Sequence, residues 1–145
     1  MPIHRQLGHL GQFLLVSTNF HQFPPVSINP MTITKKIQQD SFTIKFEARQ
    51  GNRVVGRAFL YVLKNDLHKE PFGFMEDVFV EESHRRHGLG TKLVEAVIRE
   101  AKEKGCYKLV GNSRSANSNV HEFYKNFGFV EWGREFRMDF GSRRQ

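Results

Sequence analysis

The chain predicts a mixed α/β fold of the α+β kind, a mostly antiparallel sheet flanked by helices. Three observations carry this expectation. Two apolar-alternating stretches, one through Phe42, Ile44 and Phe46 and one from Arg53 to Leu63, flank the turn Gln50-Gly51-Asn52 and read as a β-hairpin. The apolar run Phe74–Val80 is followed by a glycine turn and then by Leu89, Leu93, Val94, Val97, Ile98 and Ala101 at helical spacing. Val120, Phe123, Tyr124 and Phe127 repeat that spacing further on. Hairpins first and a strand-helix-strand crossover afterwards imply a mixed sheet with helices on its faces.

Taken in order, residues 1–30 stand apart, with Arg5 their only Asp, Glu, Lys or Arg. Pro24, Pro25 and Pro30 interrupt them, and the apolar run Leu10–Val16 is short and has no Ala-x-Ala-like cleavage site after it. They are expected to form a loosely structured arm, with Met31 a candidate alternative start. From Met31 the pattern turns to β, and the domain is expected over residues 31–140. Gly56, inside the second strand, signals a bulge or a close backbone approach. Lys64–Pro71 is a charged loop before the central strand. The first helix is expected to end at Lys104-Gly105, a cationic end followed by a capping glycine. Cys106–Val110 reads as a short strand, 111–118 as a polar loop, and Gly128 as the end of the second helix. Phe129–Trp132 and Glu135–Phe140 alternate and are expected to be two further strands around Gly133. Residues 141–145 form a basic tail.

The glycine turn is where chemistry enters. A helix start exposes free N–H groups and the positive end of the helix dipole, which suits a phosphate. Gly88 and Gly90 let a ligand approach the backbone, and Arg85, Arg86 and His87 add donors and positive charge. A third glycine is missing for the dinucleotide fingerprint, and no Gly-Lys-Ser/Thr follows for a P-loop.

Arg85-x-x-Gly88-x-Gly90 resembles the acyl-CoA signature of the GNAT family, the Gcn5-related N-acetyltransferases, whose pattern is Arg/Gln-x-x-Gly-x-Gly/Ala. Glu76-Asp77-Val78-Phe79-Val80 resembles the family's central strand; Glu82 stands where members often carry Pro. A second signature, Asn-x-x-Ala-x-x-Leu/Phe-Tyr followed by Gly-Phe, is matched by Asn117-x-x-Val120-x-x-Phe123-Tyr124 and Gly128-Phe129. Together the signatures place residues 41–140 in the resemblance. One region departs: the family usually sets two helices between its first two strands. The short N-terminal stretch here implies a reduced helical region, with the acceptor side shortened or completed by a second subunit in a homodimer.

The resemblance implies an N-acetyltransferase that moves acetyl from acetyl-CoA to a primary amine of a small molecule or peptide by direct attack, without a metal. It assigns the pyrophosphate to Arg85 and to the N–H groups of Arg86, His87, Gly88, Leu89, Gly90 and Thr91. The pantetheine arm falls to Val78, Phe79 and Val80. Asn117 bonds the pantetheine or caps the second helix, and both roles fit. Tyr124 touches the cofactor and is the candidate general acid for the leaving thiolate; its spacing also fits a core aromatic. Glu76 is the candidate general base, with His121 as an alternative. Alternation along a strand sends Glu76 and Asp77 to opposite faces, and either carboxylate also fits an ion pair with a nearby arginine. A non-catalytic acyl-CoA-binding module or sensor is the alternative function.

Composition bounds these readings. Lys plus Arg number 22 against 15 Asp plus Glu, for a net charge of +7. That suits an anionic ligand, although the basic residues are spread along the chain rather than clustered for nucleic acid. Cys106 is the lone cysteine, so no internal disulfide forms and a reducing compartment, the cytoplasm, is expected. No apolar run reaches the ~20 residues that span a bilayer, and His4, His9 and His21 are too scattered for a metal site.

Overall fold

A computed structural model describes residues 32–141, and the expectations for the arm over 1–30 and for most of the tail lie outside them. The chain from Ile37 onward forms one compact unit. Its elements run β1 (Phe42–Gln50), β2 (Arg53–Leu63), β3 (Phe72–Val80), a 3-10 turn (Glu82–His84), α1 (Leu89–Glu103), β4 (Leu109–Gly111) and α2 (Ser118–Lys125). The strands lie in the order β1-β2-β3-β4. The first three are antiparallel and β4 runs parallel to β3. The mixed sheet follows from connection lengths: a two-residue turn permits only an antiparallel neighbour, whereas the α1 crossover returns the chain parallel.

α1 covers one face of the sheet. Leu93, Val94, Val97 and Ala101 on its inner stripe meet Ala58, Leu60 and Val62 of β2 and Met75 of β3, and Leu60, Met75, Val94 and Val97 are fully buried. The helix ends as expected, with Lys104 as its cap and Gly105 at φ 70°. The signal at Gly56 has two sources. A Cβ there would stand 3.1 Å from the Phe79 carbonyl oxygen and 3.2 Å from Leu93 Cδ1, so the absent side chain lets α1 and β3 close on β2. Beside it the β1–β2 register slips, so that Ala48 pairs Gly56 but Arg49 pairs Val54, leaving Val55 as an extra residue.

A second slip lies in β3, where Phe79 faces Arg57 but Glu76 faces Phe59. The extra residue is on β3, and Asp77 takes the left-handed φ of 50°. The expected alternation of Glu76 and Asp77 therefore fails. Glu76 shares the face of its partner Phe59, and Asp77 turns its carboxylate to Arg57, which lies on that same face (Oδ2 to Nε 2.7 Å). The bulge has absorbed the alternation.

Two further expectations need correction. The strand read over Cys106–Val110 is confined to Leu109–Gly111, because Cys106 N–H donates to Ala101 at the helix end and Tyr107 N–H to Pro71. Phe129–Trp132 and Glu135–Phe140 are not strands at all. A strand needs a neighbour's main chain, and β4 offers only three residues of pairing edge. Before β1, residues 32–41 hold no helix, and the reduced helical region expected ahead of them lies outside the described residues.

Candidate active site

The site is built where β3 outruns β4. Pairing between them covers only Gly73↔Leu109, Phe74↔Val110 and Met75↔Gly111. From Glu76 to Val80, β3 keeps β2 on one side and has no strand on the other among the described residues. Those five residues thus present an open main-chain edge, which an extended ligand with amide groups can pair as an added strand. Val78 and Val80 are half-buried against the core. Phe79 lies under the Arg57 guanidinium, 4.6 Å from its ring centre, so its face is used within the sheet.

The chain then turns into α1. Gly88 is the helix N-cap at φ 75°, a left-handed conformation that glycine adopts without the penalty a Cβ would bring. No side chain caps the helix, and no acidic residue sits in its first turn. From Arg86 through Thr91 no backbone N–H donates to another described residue; the first to do so is Lys92, to the Gly88 carbonyl at 3.0 Å. Six consecutive donors are therefore without a described backbone partner at the positive end of the helix dipole, an arrangement for phosphate oxygens. Arg86 is itself held at φ 63°. Arg86 and His87 are exposed beside these donors. Arg85 also has a structural role, since its Nε donates to the Val80 carbonyl at 2.9 Å and ties the strand end to the turn.

A polar latch that no sequence motif announces holds the turn from behind. His84 Nε2 bonds Gln50 Oε1 at 3.0 Å and its Nδ1 bonds Ser83 Oγ at 2.9 Å. Glu81 accepts from Arg53 Nη2 at 2.9 Å. These contacts join the β1–β2 hairpin to the segment before the glycines. Gln50 and His84 stand 34 residues apart, and no local pattern signals a bond across that separation.

α2 closes the site. A Cβ on Gly90 would lie 3.8 Å from Phe123 Cζ and 3.9 Å from Val80 Cγ2, so the end of β3, the start of α1 and α2 meet at this glycine. Asn117 stands at the N-cap of α2, where its carbonyl accepts from Val120 and His121, but its side chain makes no capping bond and is exposed. Of the two roles expected of Asn117, its side chain is free for the ligand role. His121 Nε2 bonds the Arg114 carbonyl at 3.0 Å, which ties the loop before α2.

Tyr124 packs over β4. Its Cε2 is 3.7 Å from where a Gly111 Cβ would stand, and its ring is 5.4 Å from that of Phe129 and 5.9 Å from Phe123. Burial of the ring pushes the phenol above its ordinary value, so the hydroxyl keeps its proton through neutral and mildly alkaline pH. The hydroxyl bonds no described residue. No buried side-chain nitrogen or oxygen among those residues lacks a partner, so this oxygen is open to solvent. It is at once a core aromatic and an available proton donor. Glu76 is exposed and makes no ion pair or hydrogen bond with another described residue, whereas Asp77 is committed to Arg57. The described residues contain no group of His, Cys, Asp and Glu arranged to hold a metal.

The sequence model of the acetyltransferase (GNAT) family matches residues 15–129. The chain is similar to human N-alpha-acetyltransferase 30, with 35% identity over 94 residues, 63% of this chain and 25% of that protein. It is also similar to glucosamine 6-phosphate N-acetyltransferase of Trypanosoma brucei brucei, with 34% identity over 88 residues, 60% of this chain and 58% of that protein. The chain thus spans from a quarter to somewhat over half the length of these two relatives. Among solved structures, an aminoglycoside N-acetyltransferase in complex with CoA superposes with a TM-score of 0.56 at 25% identity, covering 68% of this chain and 75% of that one.

Proposed function

The chain belongs to the acetyltransferase (GNAT) family, and from that premise we propose that it transfers an acetyl group from acetyl-CoA to a primary amine of a small molecule or peptide. The observation that carries the reading is the pairing of two features at one place: the open edge of β3 beyond Met75 and the row of free N–H groups from Arg86 to Thr91. An extended amide-containing arm and a pyrophosphate, joined in one molecule, fit those two features. The CoA complex of the similar aminoglycoside enzyme supports the same donor.

In this reading the edge at Val78, Phe79 and Val80 pairs with the pantetheine amides, and Asn117 reaches the same arm from α2. The N–H groups from Arg86 to Thr91 hold the pyrophosphate, with the exposed side chains of Arg85, Arg86 and His87 beside them. Glu76, exposed and unpaired on the Phe59 face, takes the proton that the acceptor ammonium must lose, directly or through a water. The free amine attacks the thioester carbonyl carbon and forms the C–N bond, and the nitrogen then gives up its second proton to solvent. As the C–S bond breaks, Tyr124 donates its proton to the departing sulfur and is reprotonated from solvent. The products are the amide and free CoA. The relatives that the chain resembles carry the names N-alpha-acetyltransferase, glucosamine 6-phosphate N-acetyltransferase and aminoglycoside N-acetyltransferase, which supports an amine acceptor. We place the site within residues 31–140. The lone thiol of Cys106 supports a reducing compartment such as the cytoplasm.

Calorimetric titration with acetyl-CoA, followed by thiol release against a panel of amines, tests this. Binding with turnover on an amine is expected. Binding without turnover on small amines or peptides identifies a non-catalytic acyl-CoA sensor instead. A folded chain that does not bind acetyl-CoA removes the reading.

A further inference from the structure

Two residues fall between Met75, buried in the core, and Val78, packed against it. A regular strand has room for one. The bulge accommodates the second, so Glu76 and Asp77, adjacent in sequence, leave β3 on the same face of the sheet and are both exposed. Two carboxylates side by side disfavour each other's ionised form. A base at Glu76 therefore sits next to a charge that works against it.

Arg57 meets that charge. Its guanidinium holds Asp77 by two bonds, Nε to Oδ2 at 2.7 Å and Nη2 to Oδ1 at 3.2 Å, and lies over the Phe79 ring, 4.6 Å from its centre. Both contacts use the planar shape of the group. No bond runs from Arg57 to Glu76, although Glu76 lies on the same face, opposite Phe59. The other charged groups beyond Phe59 on this face are bonded among themselves: Glu47 of β1 accepts from Lys45 and from Arg49. Lys45 also stands 5.9 Å from the Phe59 ring centre. On the other side β4 brings only Leu109, Val110 and Gly111, none of them charged.

We propose that Arg57 and Asp77 are positioning residues for the base: their pair cancels the charge beside Glu76 and keeps the guanidinium away from it, which leaves Glu76 ionised and unpaired. The proposal rests on the reading of Glu76 as the base. A bare Asp77 would favour a protonated Glu76, which accepts nothing. A guanidinium bound to Glu76 would keep it ionised but weaken it as a base. The pair avoids both.

The two single variants then act in opposite directions. Arg57→Met keeps an unbranched chain over Phe79 and removes the cation. Asp77 becomes a bare negative neighbour, Glu76 keeps its proton to higher pH, and the acid limb of kcat/KM for the amine moves up. Asp77→Asn keeps the side-chain size and a residue type that tolerates the left-handed φ of 50°. It frees the guanidinium for Glu76, and the limb moves down. The double variant carries neither charge, and its limb returns to the wild-type position. Each single shift should reach about half a pH unit, or about three-fold in rate on the limb, at about 20 mM salt and shrink at about 0.5 M. The paired side chains are 38 and 49% exposed, so the variants should fold and melt close to wild type. The acceptor amine titrates alike with all four proteins, so differences between them belong to the enzyme.

A ¹³C NMR titration of the Glu76 carboxyl in the same proteins reads the effect whether or not they turn over. Opposite shifts by NMR, mirrored in the pH–rate profiles and cancelled in the double variant, are expected. A Glu76 titration that neither single variant moves, or that both move the same way, overturns the proposal while the acetyl-transfer reading stands. Opposite NMR shifts with unmoved pH–rate profiles overturn it through its premise, because the base is then another group.

Discussion

Replacing Tyr124 by phenylalanine separates the two roles that its place in α2 allows. The ring makes all the contacts: Phe129 at 5.4 Å, Phe123 at 5.9 Å and the β4 backbone at Gly111. The hydroxyl bonds no described residue and is open to solvent. Its removal therefore leaves no orphaned partner inside the protein, and the stability cost should stay below about 1 kcal/mol, the scale of a net hydrogen bond. The catalytic cost is of another size. A positioned general acid contributes ~10²–10⁴-fold, or about 3–5 kcal/mol of activation free energy at 1.36 kcal/mol per ten-fold. Tyr124→Phe should thus lower kcat at least about a hundred-fold, while the dissociation constant for acetyl-CoA and the melting temperature hardly move. The pH profile carries a second signature. A proton donor works while protonated and fails as pH rises through its pKa. Burial pushes this phenol above its usual value, so the wild-type alkaline limb lies beyond the range of an ordinary tyrosine and is absent from the variant. Stopped-flow thiol release with calorimetry on the same samples reads all of these quantities. Unchanged kcat would remove Tyr124 from the acid role, and a large fall in melting temperature would show that the hydroxyl has a structural partner.

The other perturbations divide between the cofactor cradle, the base and the core. At Gly90 a Cβ meets only ordinary contacts at 3.8 and 3.9 Å, so Gly90→Ala should fold. The added methyl narrows the corner where β3, α1 and α2 meet beside the unpartnered N–H groups, and acetyl-CoA affinity by calorimetry should fall about ten-fold or more, about 1.4 kcal/mol or above; retained affinity would move the pyrophosphate elsewhere. Glu76→Gln keeps the size of the side chain and abolishes its proton acceptance. Turnover should fall ~10²-fold or more and recover partly at high pH, where the amine is already deprotonated; an unaltered pH-rate profile would assign the base to another group. Leu60→Ala should cost about 2–5 kcal/mol in denaturant unfolding, because Leu60 is fully buried between α1 and the sheet; a loss under about 1 kcal/mol would mean that α1 packs less closely than described.

What could be read from the sequence divides along one physical line. Features that a short stretch imposes on itself were legible. The Gly51-Asn52 turn forces an antiparallel neighbour, Gly88 marks a left-handed helix start, and Gly105 follows the end of the helix. The two signatures around Gly88 and Asn117 were legible for the same reason, since each is a run of contiguous positions at one corner of the fold. Features that depend on a partner far along the chain were not. Asp77 looks like the next residue in an alternating strand, and only the register with Arg57 and Phe59 reveals it as the bulged one. The latch from Gln50 to His84 links segments that carry no mark of each other. The C-terminal alternation shows the limit most sharply. Val130 to Phe140 has the pattern of a strand, and that periodicity is a true property of its side chains. Strand formation, however, is settled by main-chain partners, and β4 presents three residues of edge. A pattern of this kind states which face would be dry; it does not supply the neighbour that dries it. In this protein the local signal and the observed backbone disagree, because the alternation of side chains and the supply of main-chain partners are set independently.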